Sequence, residues 1–216
     1  MIARASQLFL PTLRDAPADA EAVSHKLLVR GGFIRQLSAG LWTFMPLGWR
    51  VQRRIEQIIR EELAAIGCQE MLMPVLTPAE LWETTGRIGI PEIFHVTDRA
   101  GRQFVLPLTH EETFTFHARE IQSYKELPQL WYHFQTKDRD EASARESFEK
   151  NRVAYHRIWE RCGVEAQELK AESGIMGGEL TYDFLAPSGS GENTLVRCEN
   201  GDYAADAEVA LSLIHI

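Results

Sequence analysis

The sequence is poor in cysteine and has no long apolar run. Its three cysteines, Cys68, Cys162 and Cys198, are odd in number and far apart, which fits neither a disulfide framework nor a paired-cysteine zinc site. No stretch approaches the roughly 18 apolar residues of a membrane helix, and the first residues lack the apolar core of a signal peptide. These absences predict a cytoplasmic protein with no membrane segment.

Positive charge is also scarce. Lysine and arginine total 23 against 31 aspartates and glutamates, for a formal net charge of -8. This balance argues against non-specific binding of nucleic acid, which depends on cationic neutralisation of phosphates, although a local basic patch remains compatible with it. No glycine-rich phosphate loop precedes a helix, so a Rossmann or P-loop nucleotide site is not expected.

The patterns that are present alternate between helices and hairpins, which predicts an α+β domain. The predicted helices cover residues 50–66, ended by Gly67, and residues 109–124 and 139–159. The predicted strands are EMLMPVL, LWYHFQT, ELTYDFLAP, NTLVRCENGDYAA and the hairpin IFHVTDRAGRQFVL, which turns at residues 98–101. Pro74 cannot donate a ladder hydrogen bond, so EMLMPVL is expected at a sheet edge or at an interface.

The stretch LPLTHEETF joins a strand end to a helix start and carries two interpretations. Thr109 and Glu112 have the spacing of a capping box, with Glu111 as a first-turn acid favoured by the helix dipole. Alternatively, a hydroxyl and a carboxylate at this junction bind a ligand's ammonium group, because a carboxylate supplies charge-assisted acceptors. Both hold together if Thr109 and Glu112 cap the helix while Glu111 faces the ligand. His110 is expected to be exposed at the helix start.

Several segments, in order, resemble the bacterial-type prolyl-tRNA synthetases, a family of class II aminoacyl-tRNA synthetases. They are residues 6–51, 53–87, 106–112 (LPLTHEE), 123–137 and 160–210. The resemblance implies an antiparallel sheet flanked by helices, with some strands missing. It also implies a homodimer with Pro74 at the interface, and Thr109 and Glu111 as binding residues for the proline ammonium group. Residues 1–210 would form one partial catalytic domain, and residues 211–216 a tail outside the match.

ATP as a substrate, Mg²⁺ and tRNA(Pro) are implied by the same resemblance. In the family, QTK continues into a phenylalanine-arginine-acid-glutamate pattern whose arginine binds the ATP α-phosphate, and Arg139 and Glu141 supply the matching letters here. Asp138 replaces the aromatic residue, however, and residues 142–147 favour a helix over the return strand that would fix the arginine. We therefore expect a junction at residues 137–139 where a loop and the return strand are absent, with Arg139 on a solvated helix.

The family's third motif and its anticodon-binding domain have no counterpart in the sequence. The resemblance implies catalysis without a protein nucleophile, and no catalytic residue is assigned. No metal site is predicted, because His95, His117, His133 and His156 form no evident ligand set. Two hypotheses follow: an inactive or impaired part of a proline–tRNA ligase, or a non-catalytic synthetase-like module that binds a partner or dimerises. A truncated chain that does not fold stably is a third possibility.

Overall fold

A computed structural model describes residues 4–17, 20, 22–39, 41–134, 145–171, 181–188, 191, 194–198 and 203–207. In this part of the chain the helices are α1 (Val23–Arg30), α2 (Pro46–Ala65), α3 (Ala79–Thr84), α4 (Glu111–Ala118) and α5 (Arg145–Arg161). The strands are β1 (Ile34–Ser38), β2 (Leu41–Phe44), β3 (Gln69–Glu70), β4 (Thr77–Pro78), β5 (Phe94–Thr97), β6 (Gln103–Leu106), β7 (Trp131–Tyr132), β8 (Gln167–Ala171), β9 (Thr181–Leu185), β10 (Leu195–Arg197) and β11 (Ala204–Asp206).

The chain divides into two compact units, one made of Met1–Ile59 with Tyr155–Ile216 and the other of Arg60–Ala154. In the first unit, β1 and β2 form an antiparallel hairpin. A four-stranded sheet in the order β10-β11-β8-β9 completes that unit's strands among the described residues. Its β8–β9 and β10–β11 pairings are antiparallel and its β8–β11 pairing is parallel.

Helix α2 confirms the predicted amphipathic helix, which begins earlier than expected. It starts at Pro46, where the fixed φ of proline and its missing N–H suit a first helical turn. Ile58 and Leu63 on its apolar face are buried, at 4% and 6% exposure. Gly67 has a φ of +86°, in the left-handed region where the absence of a side chain avoids strain, and it ends the helix as predicted.

The second unit contains a three-stranded antiparallel sheet in the order β4-β6-β5 and a parallel pair, β3 with β7. Its hydrophobic core is formed by Ala79, Trp82, Ile93 and Val105. Trp82, at 1% exposure, is fully enclosed in this core. Trp42 and Trp49 are 38% and 48% exposed in the first unit.

The β5–β6 hairpin forms as predicted from the sequence. Asp98 Oδ1 accepts hydrogen bonds from the backbone amides of Ala100 (2.8 Å) and Arg102 (2.9 Å), which satisfies the turn amides locally. These bonds and the Arg102 guanidinium lower the pKa of Asp98. The hairpin delivers β6 to the start of α4, where the candidate site lies.

Several predicted elements are shorter than expected. Of the predicted strand EMLMPVL only Glu70 lies in a strand, β3, and Pro74 lies in the irregular segment before β4 because it offers no ladder donor. The predicted strand LWYHFQT is limited to β7 among its described residues. The helix predicted over 109–124 is limited to α4, Glu111–Ala118, and a 3-10 turn, Tyr124–Glu126, follows. Ser123 Oγ accepts from the Lys125 amide (3.3 Å), so a local side-chain bond competes with continued helix.

An ion pair connects the end of α2 with the β3–β7 pair. Arg60 donates two hydrogen bonds to the Glu70 carboxylate, at 2.8 and 3.0 Å, and Tyr132 donates a third, at 3.3 Å. Arg60 is the main reason that the pKa of Glu70 is lowered. Burial is the main reason that the pKa of Tyr132 is raised.

Several predictions concern residues outside the described ones. They are the 137–139 junction, Arg139 and Glu141, the start of the helix predicted at residue 139, and the tail at residues 211–216. Within the described ranges, no helix is long and apolar enough to cross a membrane.

Candidate functional site

The site is built where β6 leads into α4. The helix begins at Glu111 with His110 as its N-cap, and no side chain caps its amides. The predicted capping box of Thr109 and Glu112 is therefore wrong. Both side chains are engaged by residues from another part of the chain, so tertiary contacts override the local capping preference.

Arg87 is the residue that engages them. Its Nη2 donates to Thr109 Oγ1 at 3.2 Å, and its Nη1 donates to Glu112 Oε1 at 2.9 Å. The same Nη1 contacts Glu111 Oε2 at the longer distance of 3.4 Å. Thr85 Oγ1 adds a hydrogen bond to Glu112 Oε1 at 3.0 Å. One guanidinium thus connects the two predicted ligand-binding residues with the second glutamate of the LPLTHEE loop.

The position of Arg87 is fixed by the core of the second unit. Gly86, with a φ of +73°, reverses the chain after α3, and the Arg87 amide then bonds to the Trp82 carbonyl at 2.9 Å. The guanidinium carbon lies 5.0 Å from the centroid of the Trp82 ring, within range of a cation–π interaction. The Trp82 indole N–H donates to Thr77 Oγ1 at 3.1 Å, so the ring itself is held in place.

Burial separates the two adjacent glutamates. The side chain of Glu112 is 2% exposed, whereas those of Glu111 and Arg87 are 33% and 27% exposed. Glu112 Oε2 is buried and has no hydrogen-bond partner among the described residues. We call Arg87, Glu111 and Glu112 the acidic cluster, because one cation and two carboxylates leave an excess negative charge that favours a cationic ligand.

His110 is buried, which contradicts the expectation that it would be exposed. The residue is 8% exposed, and its Nε2 lies 3.1 Å from the carbonyl oxygen of Pro74. Its ring packs edge-on against that of His133, with centroids 4.4 Å apart. The structure thereby brings the segment around Pro74 to the residue between Thr109 and Glu111.

Pro74 itself lies in an exposed apolar segment. Leu72 and Val75 on either side are 90% and 68% exposed. This exposure is compatible with the predicted interface, which stays a prediction.

No local pattern pointed to Arg87 or Thr85, because their partners lie 22 to 27 residues further along the chain. Arg139 and Glu141, the ATP-binding candidates, lie outside the described residues. Among the residues that are described, no group of three or more histidine, cysteine, aspartate or glutamate side chains is arranged to hold a metal ion.

The comparison with family models gave no match. Individual relatives match strongly. The chain is 42% identical over 237 aligned positions to a proline–tRNA ligase of Thermodesulfovibrio yellowstonii, covering 97% of this chain and 42% of the relative. It is 44% identical to the proline–tRNA ligases of Albidiferax ferrireducens and Moorella thermoacetica, covering 97% of this chain and 41% of each relative. The chain therefore spans about two fifths of the length of these relatives.

The alignments also contain residues that this chain lacks. The Thermodesulfovibrio alignment extends over 237 positions, whereas the whole chain has 216 residues, so at least 21 positions are occupied in the relative alone. Relative to that protein, the chain is shortened internally.

The fold has a solved neighbour. Giardia lamblia prolyl-tRNA synthetase in complex with prolyl-adenylate matches 64% of this chain and 35% of its own, with a TM-score of 0.54 and 19% identity. That likeness in fold confirms the predicted α+β, class II synthetase-like architecture. Together with the sequence matches, it shows that the chain is a homologue of part of the proline–tRNA ligases, as the resemblance in its sequence predicts.

Proposed function

We propose that this chain is part of a proline–tRNA ligase and binds proline by its ammonium group, through Glu111 and Thr109. The relatives are named proline–tRNA ligases, and the solved neighbour is bound to prolyl-adenylate, which supports the proposal. The observation that carries it is the acidic cluster beside Thr109. The Glu111 carboxylate of this cluster is partly exposed, the Thr109 hydroxyl contacts the same guanidinium, and the cluster has an excess negative charge.

The geometry suits a secondary ammonium ion, which has two N–H donors. Arg87 contacts one oxygen of Glu111, which leaves the other oxygen to accept a charge-assisted hydrogen bond from the ligand. Thr109 Oγ1 accepts one bond from Arg87, and a hydroxyl oxygen has a second lone pair for the other N–H. Because Thr109 is 3% exposed, Glu111 is the more accessible of the two contacts.

In the intact ligase, we propose, a carboxylate oxygen of proline attacks the α-phosphate of ATP. Prolyl-adenylate forms as pyrophosphate leaves, and the prolyl group then passes to tRNA(Pro) with AMP as the leaving group. Mg²⁺ would neutralise phosphate charge, and no described residue is assigned as its ligand. Catalysis of this kind depends on positioning and on electrostatic stabilisation of the phosphates.

We propose that adenylate formation is lost or impaired in this chain. The internal shortening of at least 21 alignment positions supports the absence of the return strand expected at the 137–139 junction. Without that strand, Arg139 and Glu141 lack the support that a phosphate-binding hairpin needs. Losing one preorganised donor to a developing charge costs about 3 kcal/mol of transition-state stabilisation, so an unsupported clamp is expected to slow turnover at least about a hundredfold.

A second candidate is a non-catalytic module that forms a homodimer. The exposed apolar side chains around Pro74 favour it, and so does the exposed hairpin of β1 and β2 in the first unit. In that hairpin Leu41, Trp42 and Phe44 are 59%, 38% and 50% exposed. Monomeric proteins rarely leave large apolar patches in water. By kinship with the ligases, we infer the cytoplasm as its compartment in either case.

Two measurements on the purified chain test the proposal. The first is titration with L-proline, followed by NMR amide resonances, for the unsubstituted chain, for Glu111→Gln and for the control Glu120→Gln. Glu120 is an exposed residue beyond the end of α4, so its substitution changes the charge equally without touching the site. The second is proline-dependent exchange between ATP and pyrophosphate.

We expect proline binding that Glu111→Gln abolishes and Glu120→Gln preserves, with no exchange above background. Exchange that disappears in Glu111→Gln would show that the phosphate site is functional and that the proposed impairment is wrong. A folded chain that does not bind proline would contradict the binding proposal and favour the dimerising module. Sedimentation would then report whether the chain has the mass of a dimer.

A further inference from the structure

The guanidinium of Arg87 contacts both residues proposed to bind the ligand. It donates to Thr109 at 3.2 Å and to Glu111 at 3.4 Å, and Glu112 holds it from the buried side at 2.9 Å. A planar guanidinium presents its donors in a fixed fork, so these three contacts constrain one another. A lysine ammonium, which is a point charge, cannot reproduce that geometry.

The electrostatic effect of Arg87 alone would oppose the proposed function. A cation beside an ammonium-binding carboxylate repels the ligand and lowers the excess negative charge of the acidic cluster. The presence of Arg87 beside these residues therefore favours a geometric role over an electrostatic one. Glu112 stabilises the guanidinium from a side chain that is 2% exposed, and Trp82 packs against its face at 5.0 Å.

We infer that Arg87 is a positioning residue for ammonium recognition: it orients the Glu111 carboxylate and the Thr109 hydroxyl toward the ligand, and Glu112 and Thr85 hold it in place. This inference rests on the proposed binding of proline. Arg87 occupies one oxygen of Glu111 and one lone pair of Thr109, which restricts both side chains to rotamers that present the remaining acceptors. Preorganised acceptors bind more tightly because less side-chain entropy is lost on binding.

A charge-neutral double substitution separates geometry from charge. Arg87→Met with Glu112→Gln removes one positive and one negative charge, so the cluster keeps a net charge of −1. Simple electrostatics then predicts an unchanged affinity for proline. Positioning by Arg87 predicts an affinity at least about tenfold weaker, equivalent to about 1.4 kcal/mol.

Two further variants complete the test. Arg87→Lys preserves the charge and keeps Glu112 paired, so it is expected to fold and to bind with intermediate affinity. Arg102→Met with Asp98→Asn removes an ion pair of 2.6 Å on the exposed hairpin and is expected to bind like the unsubstituted chain. The NMR titration with L-proline measures both the folded fraction, from dispersed resonances, and the dissociation constant of the folded molecules.

A merely structural role for Arg87 would lower the folded fraction and leave the dissociation constant of the folded molecules unchanged. The inference is supported if affinity falls in the order unsubstituted chain, Arg87→Lys, double variant. It is overturned if these three bind alike, or if either variant binds more tightly. If the double variant does not fold, Arg87→Lys decides alone. If the unsubstituted chain does not bind proline, the proposed function fails together with this inference.

Discussion

The Arg87–Glu112 pair is expected to stabilise the second unit, and the two single substitutions should have unequal costs. The carboxylate side chain is 2% exposed, whereas the guanidinium side chain is 27% exposed. Breaking a buried pair costs about 3–5 kcal/mol because a charge is left buried, whereas exposed pairs contribute about 0–1 kcal/mol. Because Glu112 is buried and Arg87 is partly hydrated, we expect a coupling energy of about 2 kcal/mol between the two residues, which lies between these limits.

The asymmetry follows from which charge is left alone. Arg87→Met leaves a buried carboxylate whose one remaining donor among the described residues is Thr85, and we expect a loss of about 2 kcal/mol in the free energy of unfolding. Glu112→Gln leaves a guanidinium that still reaches water and Glu111, so its cost should be smaller. The double variant should resemble Glu112→Gln alone, because the buried charge has been removed.

Urea unfolding followed by tryptophan fluorescence measures all four proteins of this double-mutant cycle. The Asp98–Arg102 pair provides the matched control. Its atoms are closer, at 2.6 Å, yet Arg102 is 73% exposed, so its coupling should be smaller. The reasoning is refuted if the exposed pair couples as strongly as Arg87 and Glu112, or if Glu112→Gln costs more than Arg87→Met.

Two other substitutions test the packing and the pH dependence of the fold. A Cβ at Gly48 in α2 would overlap the backbone carbonyl of Phe33. We therefore expect Gly48→Ala to lower the free energy of unfolding by about 1–3 kcal/mol, measured by thermal unfolding. Gly89→Ala, where a Cβ meets no atom within 4 Å, is the control and should cost less. Arg60 lowers the pKa of Glu70 below the ordinary 4.5, so the carboxylate stabilises the fold above pH 4.5 and loses this effect as the pH falls through the folded-state pKa. Glu70→Gln should therefore lower the free energy of unfolding at pH 7 by less than about 1 kcal/mol, because Glu70 is 37% exposed. The difference in stability between the variant and the unsubstituted chain should vanish at low pH. A difference that stays constant with pH would contradict the argument.

The elements that could be predicted from the sequence are those whose causes are local. The β5–β6 hairpin depends on Asp98 and its own turn amides, all within five residues. Helix α2 depends on its apolar spacing and on the positive φ of Gly67 at its end. In both cases the residues that decide the structure are adjacent, so their order in the sequence carries the information.

The candidate site shows why local reasoning was insufficient there. Thr109 and Glu112 have a capping-box spacing, and a helix does begin beside them, at Glu111. The cap is absent because Arg87 and Thr85 offer the two side chains stronger, charge-assisted partners from 22 to 27 residues away. The sequence suggested Thr109 and Glu111 as candidate ligand-binding residues, whereas the residue that contacts both of them became visible only in three dimensions.

The two adjacent glutamates have different tasks because successive residues of a helix point about a quarter-turn apart. That rotation leaves Glu111 at the surface, 33% exposed, and turns Glu112 inward, 2% exposed. A carboxylate so buried needs a cation within hydrogen-bond distance, and Arg87 is close enough to meet both glutamates. Burial therefore makes Glu112 the partner that holds Arg87, and exposure leaves Glu111 available to a ligand. Since Glu112 supports the fold and Glu111 is accessible, substitutions at these neighbouring positions should have separate effects. We expect a change at Glu112 to alter mainly the stability of the fold and a change at Glu111 to alter mainly the binding of the ligand.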